Sequence, residues 1–324
     1  MRSEIKKRKK WPRIVGLTLL FTMLAGGAYA YYIYNSVTNT VANMYKPIVH
    51  EEPEKRVNEV LPAANKQPTT KPITPRAPAT TKKPFSVLML GVDQRPGDKG
   101  RSDTIIVLTV NPNKKSVKML SIPRDTRTEI IGKGKEDKIN HAYAFGGVQM
   151  SVNTVEHFLG IPIDYYMKVN MEGLRDVVDA IGGVKVHNDL DFTSDGVHFP
   201  IGEVSLNGKT ALSYSRMRYE DPHGDFGRQS RQRKIIQEVI NKGASFSTLS
   251  NYKGVLGAME KNIQTNMTLN EMIDIQKNYI QAREHIEQEA LEGNGTKMNK
   301  IYYFIVSPEE KQRVHNELMN HLEI

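Results

Sequence analysis

An uncharged, largely apolar run at residues 14–34 limits the architecture of this chain more than any other feature. It reads IVGLTLLFTMLAGGAYAYYIY, which is about the length that an α-helix needs to cross a bilayer. Seven basic residues and one acidic residue lie just before it, in positions 1–13. By the positive-inside rule, the pattern predicts a basic cytoplasmic tail at 1–13, a transmembrane anchor at 14–34 and an extracytoplasmic location for everything that follows.

The same run is open to a second interpretation, a cleaved signal peptide. Ala28, Tyr29 and Ala30 match the small-residue pattern at which such peptides are cut. The apolar stretch continues through Tyr34, however, and tyrosines suit the outer interface of a membrane. This continuation favours an uncleaved, single-pass anchor in the cell membrane. Both interpretations place the remainder of the chain outside the cytoplasm.

Residues 35–84 are rich in proline and poor in large apolar side chains. Half of the 16 prolines fall between Pro47 and Pro84. Such a segment cannot bury enough surface to offset the entropy of ordering it, so it is predicted to be an extended extracytoplasmic spacer. A folded domain follows over residues 85–324. The sequence holds no cysteine, which excludes disulfides and thiolate metal sites.

The domain at 85–324 mixes strand and helix patterns. Strands are predicted for FSVLMLGV, TIIVLTV and SVKMLSI near its start and for KIYYFIV near its end. Helical periodicity occurs in five segments, at 147–159, 171–181, 227–242, 249–262 and 269–283, and a closing helix follows the last strand. The pattern predicts an α/β fold in which helices flank a central mixed sheet, preceded by one transmembrane helix.

Acidic and basic residues cluster around the first three strands. The connection NPNKK between the second and third strands is short enough for a hairpin. In an antiparallel meander, the charges of GVDQRPGDKGRSDT and SIPRDT then meet at one edge of the sheet. These charges are Asp93, Arg95, Arg101, Asp103, Arg124 and Asp125. Two carboxylates suit Mg²⁺ and guanidinium groups suit phosphate; a surface loop of self-paired charges is the alternative.

A second arginine-rich segment occupies residues 216–233. Arg216 and Arg218 share one face if that stretch is extended. On the helix that follows, Arg228 and Gln232 are four residues apart, and their stripe continues into apolar positions. Both side chains are therefore predicted to point inward near the helix start, where the helix dipole stabilises an anion.

Three further residues of this segment have separate interpretations: Arg231 is a possible additional phosphate ligand, Asp225 is favoured as the helix cap, and Arg233 is expected to face solvent. Nine of the 17 arginines lie within 91–127 and 216–233, whereas lysine dominates elsewhere. A merely solvated charged face does not account for that preference. The forked guanidinium group binds phosphate oxygens in pairs, so the distribution favours a phosphate-binding function.

The chain resembles the LytR–CpsA–Psr family of envelope proteins. The resemblance rests on GVDQRPGDKGRSDTI, SIPRDT, KINHAYAFGG and YSRMRYEDPHGDFGRQSRQR. It covers the basic N-terminus, the anchor, the spacer and the whole domain. It implies a phosphotransferase that moves an anionic glycopolymer, such as wall teichoic acid, from a polyprenyl pyrophosphate carrier onto peptidoglycan. The implied acceptor is the C6 hydroxyl of muramic acid, and no covalent enzyme intermediate is required.

The resemblance also assigns roles to residues of this sequence. Asp93 and Asp103 would hold Mg²⁺. The residues that would surround the pyrophosphate are Arg95, Arg101, Arg124, Arg216, Arg218, Arg228 and Gln232. Arg127 and Arg231 are weaker matches, and His141 in KINHAYAFGG receives no role. The polyprenyl tail needs an apolar slot, which helices between 147 and 181 and from 235 onward could form.

Three other functions remain open at this point. A hydrolase of lipid-linked precursors would use the same site, with water as the acceptor. A non-catalytic polymer-binding or regulatory protein would use it only to hold an anion. The net charge of +9 is also compatible with a membrane-tethered nucleic-acid regulator, but that function requires the domain to be cytoplasmic. The predicted topology therefore argues against a nucleic-acid partner, and the oligomeric state is left open.

Overall fold

The computed structural model describes residues 11–49, 82–93, 100–243 and 252–324. Most of the predicted cytoplasmic tail, the larger part of the predicted spacer and Arg95 lie outside these residues. The described part contains a six-stranded central sheet and all but one of the residues to which the sequence assigns a role.

A six-stranded mixed sheet forms the centre of the domain, in the strand order β11-β6-β1-β2-β3-β12. The strands are β1 (Phe85–Asp93), β2 (Arg101–Asn111), β3 (Ser116–Ser121), β6 (Tyr165–Asn170), β11 (Ile263–Thr265) and β12 (His285–Ala290). The first three form the predicted antiparallel meander, while β6 and β12 add in parallel to β1 and β3. Strands with apolar residues on both faces require cover on both sides.

Helices provide that cover. On one face, α2 (His141–Leu159) and α8 (Pro308–Leu322) pack on a core that includes Leu88 and Val107 of the sheet. On the other face, α5 (Asp225–Gly243) and α7 (Leu269–Asn278) pack on a core that includes Val87 and Ile106. The helices lie close to their predicted positions, and the predicted α/β architecture with a central mixed sheet is confirmed.

A smaller apolar cluster lies beside the sheet. It is built from α3 (Met171–Ala180), β7 (Val184–Asn188), β8 (Phe192–Ser194), β9 (Val197–Phe199), β10 (Gly202–Leu206) and α4 (Gly208–Arg216), and it packs on Ile235 of α5. Because α5 lies between this cluster and the sheet, few side chains of α5 face solvent. The arrangement brings α3, α4 and the start of α5 around one edge of the sheet.

Two hairpins and one further helix complete the described domain: β4 (Arg127–Ile130) with β5 (Lys135–Lys138), β13 (Asn294–Met298) with β14 (Ile301–Ile305), and α6 (Tyr252–Asn262). A short 3-10 helix at Ile280–Glu284 precedes β12. The two hairpins touch through a bridge between Thr126 and Phe304, which places both beside the loop that follows β3.

The N-terminal helix α1 spans Trp11–Met44 and is longer than the predicted anchor. Its end packs on the domain, since Val41 and Met44 are buried and the Asn43 amide donates to Glu260 Oε1 over 2.7 Å. The backbone N–H of Lys46 then donates to the carbonyl of Thr265 over 2.8 Å. Residues 35–49 are thus helical or docked, and not the extended spacer that was expected. Within the described residues, no helix is long and apolar enough to span a membrane.

Candidate active site

A cavity of about 580 Å³ opens at the edge of the sheet where β1 and β6 end and β2 begins. Parallel strands place their carboxyl ends on one edge, where crevices of α/β sheets bind ligands. Seven of the residues with predicted site roles line this cavity: Asp93, Asp103, Arg124, Arg216, Arg218, Arg228 and Gln232. Segments that are far apart in the sequence therefore meet here, as predicted.

A β-bulge places Asp103 at the cavity. Val92 pairs with Ser102 and Gly91 pairs with Thr104, so Asp103 is an extra residue with no partner on β1. Bulges redirect a side chain without ending the ladder. Gly91 is needed at this point, because a Cβ there would lie 2.8 Å from the Cβ of Thr104. The bulge explains how a strand residue can point into the site.

Arg124 follows β3 and pairs with Asp103. Its Nη1 lies 3.0 Å from Asp103 Oδ1, and its Nε lies 3.8 Å from Asp125 Oδ2. Burial of the Arg124 guanidinium acts to lower its pKa, but the carboxylates of Asp103, Asp225 and Asp125 together outweigh burial, so the pKa lies above its ordinary value. The guanidinium is held in its charged form at the wall of the cavity.

Arg228 lies in the first turn of α5 and is only 8% exposed. Its Nη2 donates to the backbone carbonyl of Asp103 over 3.1 Å and lies 2.8 Å from Asp225 Oδ1, while its Nε is buried and has no protein partner. Burial, opposed by Asp225, lowers the pKa of Arg228. A buried guanidinium with an unused donor at a helix start is suited to bind an anion.

Two more arginines approach from α4. Arg216 is the last residue of that helix, and Arg218 follows two residues later. Both arginines line the cavity. Met217 between them has an extended backbone, and its side chain is buried. The guanidinium of Arg218 lies 4.8 Å from the ring of Tyr219, which is 91% exposed. Tyr219 was not predicted as a site residue, since an aromatic in a charged loop carries no periodic signal.

The cavity changes character along α5. Arg228, Gln232, Ile235 and Ile236 all line it, and they recur at helical spacing on one face. Across about 12 Å of helix, the lining passes from guanidinium through amide to aliphatic side chains. The aliphatic end is completed by Met89, Leu90, Val169, Met171 and Leu174. A slot for the polyprenyl tail was expected from helices between 147 and 181 and from 235 onward; in the described part of the chain, α3 and α5 line the aliphatic end of the cavity.

Several arginines with predicted roles lie elsewhere. Arg101 is exposed at the start of β2, opposite Asp93, and does not line the cavity. Arg127 pairs with Glu136 across the β4–β5 hairpin. Arg231 points away from the cavity into the α4 cluster, where it pairs with the buried Asp221. Arg127 and Arg231, which match the family motifs less closely, thus form ion pairs with other residues of the domain.

Two further interpretations of α5 were wrong. Arg233 does not face solvent: it is buried and its Nη1 donates to Ser121 Oγ over 2.8 Å, because the sheet lies against this side of the helix. Asp225 is not a cap but the first residue of the helix, where its Oδ2 accepts from Gln229 over 3.0 Å. Its other oxygen contacts Arg228, so Asp225 belongs to the charged network.

The fit of a divalent cation can be judged from the donor set. Asp93 and Asp103 lie on neighbouring strands and both line the cavity. The described residues contain no group of three His, Asp or Glu side chains that could form a complete metal cage. Two carboxylates nevertheless match the sparse protein contribution that Mg²⁺ accepts when substrate phosphates supply other ligands. The residues present fit such an ion.

Fold and site together define a class of protein. It is an α/β protein whose cavity joins an arginine-lined anion site to an aliphatic slot, and these are the two features that binding of an amphiphilic phosphate requires. The model of the LytR_cpsA_psr family matches residues 31–320. The chain belongs to this family.

Two relatives with named functions match all or nearly all of the chain. The chain is 48% identical to the polyisoprenyl-teichoic acid–peptidoglycan teichoic acid transferase TagU of Bacillus subtilis (strain 168), with 100% of both chains covered. It is 49% identical to the TagU of Bacillus cereus (strain ATCC 14579), with 96% of both covered.

Solved structures agree in fold. The crystal structure of B. subtilis TagU superposes with a TM-score of 0.62 at 50% identity and covers 75% of this chain and 98% of that one. A structure of TagT bound to LIIa-WTA superposes with a TM-score of 0.65 at 35% identity and covers 75% of this chain and 92% of the other.

Proposed function

We propose that this protein is an enzyme that transfers teichoic acid, an anionic cell-wall glycopolymer, from a polyprenyl pyrophosphate carrier to peptidoglycan. The observation that carries the proposal is the change along α5 from Arg228 to Ile236 within one cavity. A lipid-linked donor has the same order of parts, a charged diphosphate followed by an aliphatic chain. The TagU relatives carry this transfer in their names.

The charge of the cavity supports a diphosphate ligand. Four arginines and two aspartates line it, which gives a formal net charge of four minus two, or +2. A diphosphate bridging lipid and polymer carries about two negative charges near neutral pH. Charged hydrogen bonds from guanidinium groups are about twice as strong as neutral ones. The arginine end therefore balances the bound donor before the reaction starts.

The transfer itself needs positioning and charge stabilisation more than covalent chemistry. The acceptor, proposed to be the C6 hydroxyl of muramic acid, attacks the phosphorus that carries the polymer. The bond to the bridging oxygen breaks, and polyprenyl phosphate leaves with that oxygen. The two charges of the donor become one on the new diester and two on the leaving monoester, with release of one proton.

Arg124 and Arg228 are the groups that stabilise this added charge. Arg124 is fixed by Asp103, and Arg228 is fixed by the backbone of the bulge, so neither has to reorganise during the reaction. The unused Nε of Arg228 is available to a phosphate oxygen. The proton of the attacking hydroxyl needs an acceptor, and Asp93 is the carboxylate we propose to orient that hydroxyl.

Magnesium is part of the proposal as an ion held by Asp93 and Asp103. When bound, it would neutralise charge on the diphosphate and help align it with the acceptor. The arginines, two of which contact Asp103, bind, orient and polarise the same diphosphate. Arg95, which follows β1 in the sequence, is also proposed to contribute, and so is Arg101 from the start of β2, where it lies opposite Asp93 and outside the cavity lining.

The proposal includes an N-terminal membrane anchor with the domain on the extracytoplasmic side. A cavity of 580 Å³ has the dimensions of a small-molecule pocket, so it accommodates the diphosphate and the nearest isoprene units but not a long polyprenyl tail. The rest of the tail must remain in lipid. The docked end of α1 contacts β11 and α6, next to the aliphatic end of the cavity.

One assay tests the proposed function. The full chain in detergent is incubated with Mg²⁺, a radiolabelled lipid-linked teichoic acid precursor and peptidoglycan oligomers. We expect a covalent polymer–glycan conjugate and an equal amount of polyprenyl phosphate. Release of free polymer without conjugate would identify a hydrolase. Donor binding without turnover would identify a non-catalytic polymer-binding protein.

A further inference from the structure

The β13–β14 hairpin stands outside the central sheet but is fixed to the active site. The N–H of Phe304 donates to the carbonyl of Asp125 over 2.9 Å, and the Phe304 side chain is buried. Its ring contacts that of Phe226 with centroids 5.4 Å apart. Phe226 is the second residue of α5, two residues before Arg228. The hairpin is thus held about one helical turn or less from the phosphate site.

The register of the hairpin directs a second aromatic ring to the same side. Asn299 and Lys300 both have positive φ and form the two-residue turn between Met298 and Ile301. Side chains two residues apart on a strand share a face, so Tyr302 lies on the face that carries Phe304. Tyr302 is 43% exposed, which leaves part of its ring available for contact.

Gly295 of β13 and Gly293, which precedes that strand, leave room for these two rings. A Cβ on Gly295 would lie 2.6 Å from the Tyr302 hydroxyl, and a Cβ on Gly293 would lie 2.8 Å from Cζ of Phe304. Aromatic rings that cover glycines on a neighbouring strand are a known stabilising arrangement in sheets. We use the name aromatic shelf for the partly exposed rings of Phe226 and Tyr302 together with the buried Phe304, whose ring meets that of Phe226 edge-on.

Polar groups border the shelf. A second cavity of about 510 Å³ is lined by Phe226 and by residues 290–294, including Glu292 and Asn294. Burial, together with Asp125 and Asp225, raises the pKa of Tyr302, so its hydroxyl remains a donor at neutral pH. An aromatic plate with hydrogen-bonding groups at its edge matches a sugar ring, which has apolar C–H faces and hydroxyls around its rim.

We propose that the aromatic shelf binds the glycan strand of the acceptor, with a sugar ring stacked on Tyr302. The inference rests on the proposed transfer to peptidoglycan and adds the location of the acceptor. In-line displacement requires the attacking hydroxyl to lie opposite the leaving group. Along the axis of α5 the order is Phe226, Arg228, Ile236, so Phe226 and the aliphatic end of the cavity lie on opposite sides of Arg228 in the direction of this axis.

The test is a steady-state analysis of transfer by the full chain in detergent, with Tyr302→Ala, Tyr302→Phe and Tyr303→Ala variants. Tyr302→Ala should raise KM for peptidoglycan oligomers about tenfold, with KM for the lipid-linked donor and kcat within about twofold. Tyr302→Phe should retain most of the affinity, because the ring is kept. Tyr303→Ala is the matched control, since Tyr303 lies on the opposite face, and should resemble the wild type.

A second variant separates loss of the ring from its displacement. Gly295→Ala retains Tyr302 but occupies the space beneath its hydroxyl, so it should raise KM for the acceptor in the same direction. An unchanged acceptor KM in folded Tyr302→Ala, checked by circular dichroism, would overturn the proposal. A rise in donor KM instead would show that the shelf binds the cargo polymer. If the wild-type protein forms no conjugate, the proposed function is refuted and the kinetic comparison no longer tests the shelf. Binding of peptidoglycan oligomers, measured without donor, then tests the shelf directly.

Discussion

The two ends of the cavity are built in different ways. The arginine end is assembled from irregular features, namely the bulge at Asp103, the loop after β3 with Arg124 and the first turn of α5 with Arg228. The aliphatic end is formed by regular faces of β1, β6, α3 and α5. Irregular backbone fixes a few charged groups in one geometry, whereas regular elements supply apolar surface that tolerates change. Substitutions should therefore affect the two ends very differently.

The largest effect is expected from Arg228→Ala. Removal of one preorganised charged donor should lower kcat by about 100-fold to 1,000-fold, because Arg228 lies at the arginine end with an unused donor. Arg228→Lys keeps the charge but loses the fork and should fall in between. Initial rates of conjugate formation measure this effect. A rate within threefold of the wild type would show that Arg228 does not contact the donor.

The next effect concerns the bulge residue. Asp103→Asn weakens the pairing with Arg124 and removes a proposed Mg²⁺ ligand, so kcat should fall by about 10-fold to 100-fold. The Mg²⁺ concentration for half-maximal rate should rise in parallel. Asp137→Asn is the control, because Asp137 pairs with His141 outside the cavity. Equal responses of the two variants to Mg²⁺ would argue against a metal site at Asp103.

A smaller effect is expected at the aliphatic end. Leu174→Ala removes apolar contact worth on the order of 1–2 kcal/mol, so KM for a donor with a full polyprenyl tail should rise about tenfold. A donor whose tail is cut to one isoprene unit should be much less affected. Leu190→Ala is the control, since Leu190 packs on the same apolar cluster as Leu174 but does not line the cavity. Equal KM changes in both variants would locate the tail elsewhere.

Arg231→Ala should leave transfer unchanged in the folded protein and reduce stability instead. Arg231 is one turn from Arg228, yet it pairs with Asp221, whose side chain is almost fully buried. Loss of one partner of a buried pair costs about 3–5 kcal/mol, since the other charge stays buried. Thermal unfolding measures this loss. A stable variant with greatly reduced kcat would assign Arg231 to the site after all.

The smallest effect on transfer is expected at the far end of β2 and β3. Burial, followed by Lys118 and Lys114, lowers the pKa of His321 to about 4, and its ring contacts Thr109 and Ser116. The unfolded chain binds this proton below pH 6.5, but the folded protein does so only below about 4. The free energy of unfolding should therefore fall by about 3 kcal/mol as pH drops through that window.

Replacement of the imidazole identifies the source of that dependence. His321→Gln cannot take up the proton, so its free energy of unfolding should change less between pH 6.5 and 4, as measured by urea unfolding. Transfer per folded molecule at neutral pH should match the wild type, because His321 does not line the cavity. An unaltered pH dependence in the variant would assign the acid sensitivity to other groups.

The arginine end of the cavity could be predicted from the sequence, because the patterns that specify it lie within short segments of the chain. Apolar strands and a short connection specify the meander, and an inward helical stripe specifies Arg228 and Gln232. The bulge could not be predicted, since register depends on cross-strand packing at Gly91 and Thr104. The burial of Arg233 also escaped prediction, because a polar residue on a helix shows no sign of the sheet that covers it.

The aliphatic end of the cavity and the docked end of α1 were harder to predict from the sequence, for a common reason. Leu174 and Ile236 have the same pattern as ordinary core residues, so a slot and a packed core look alike in sequence. The docking of Val41 and Met44 depends on contacts with α6 and β11, far away in the chain. Tertiary contacts of this kind leave no periodic mark in the segment itself.

The most direct test of the central claim is a crystal structure of the full chain with a polyprenyl diphosphate bound. The account predicts phosphate oxygens within about 3 Å of the guanidinium groups of Arg124 and Arg228, with the first isoprene units between Leu174 and Ile236. A diphosphate bound away from both arginines, or a tail that leaves the cavity past Phe226, would contradict it.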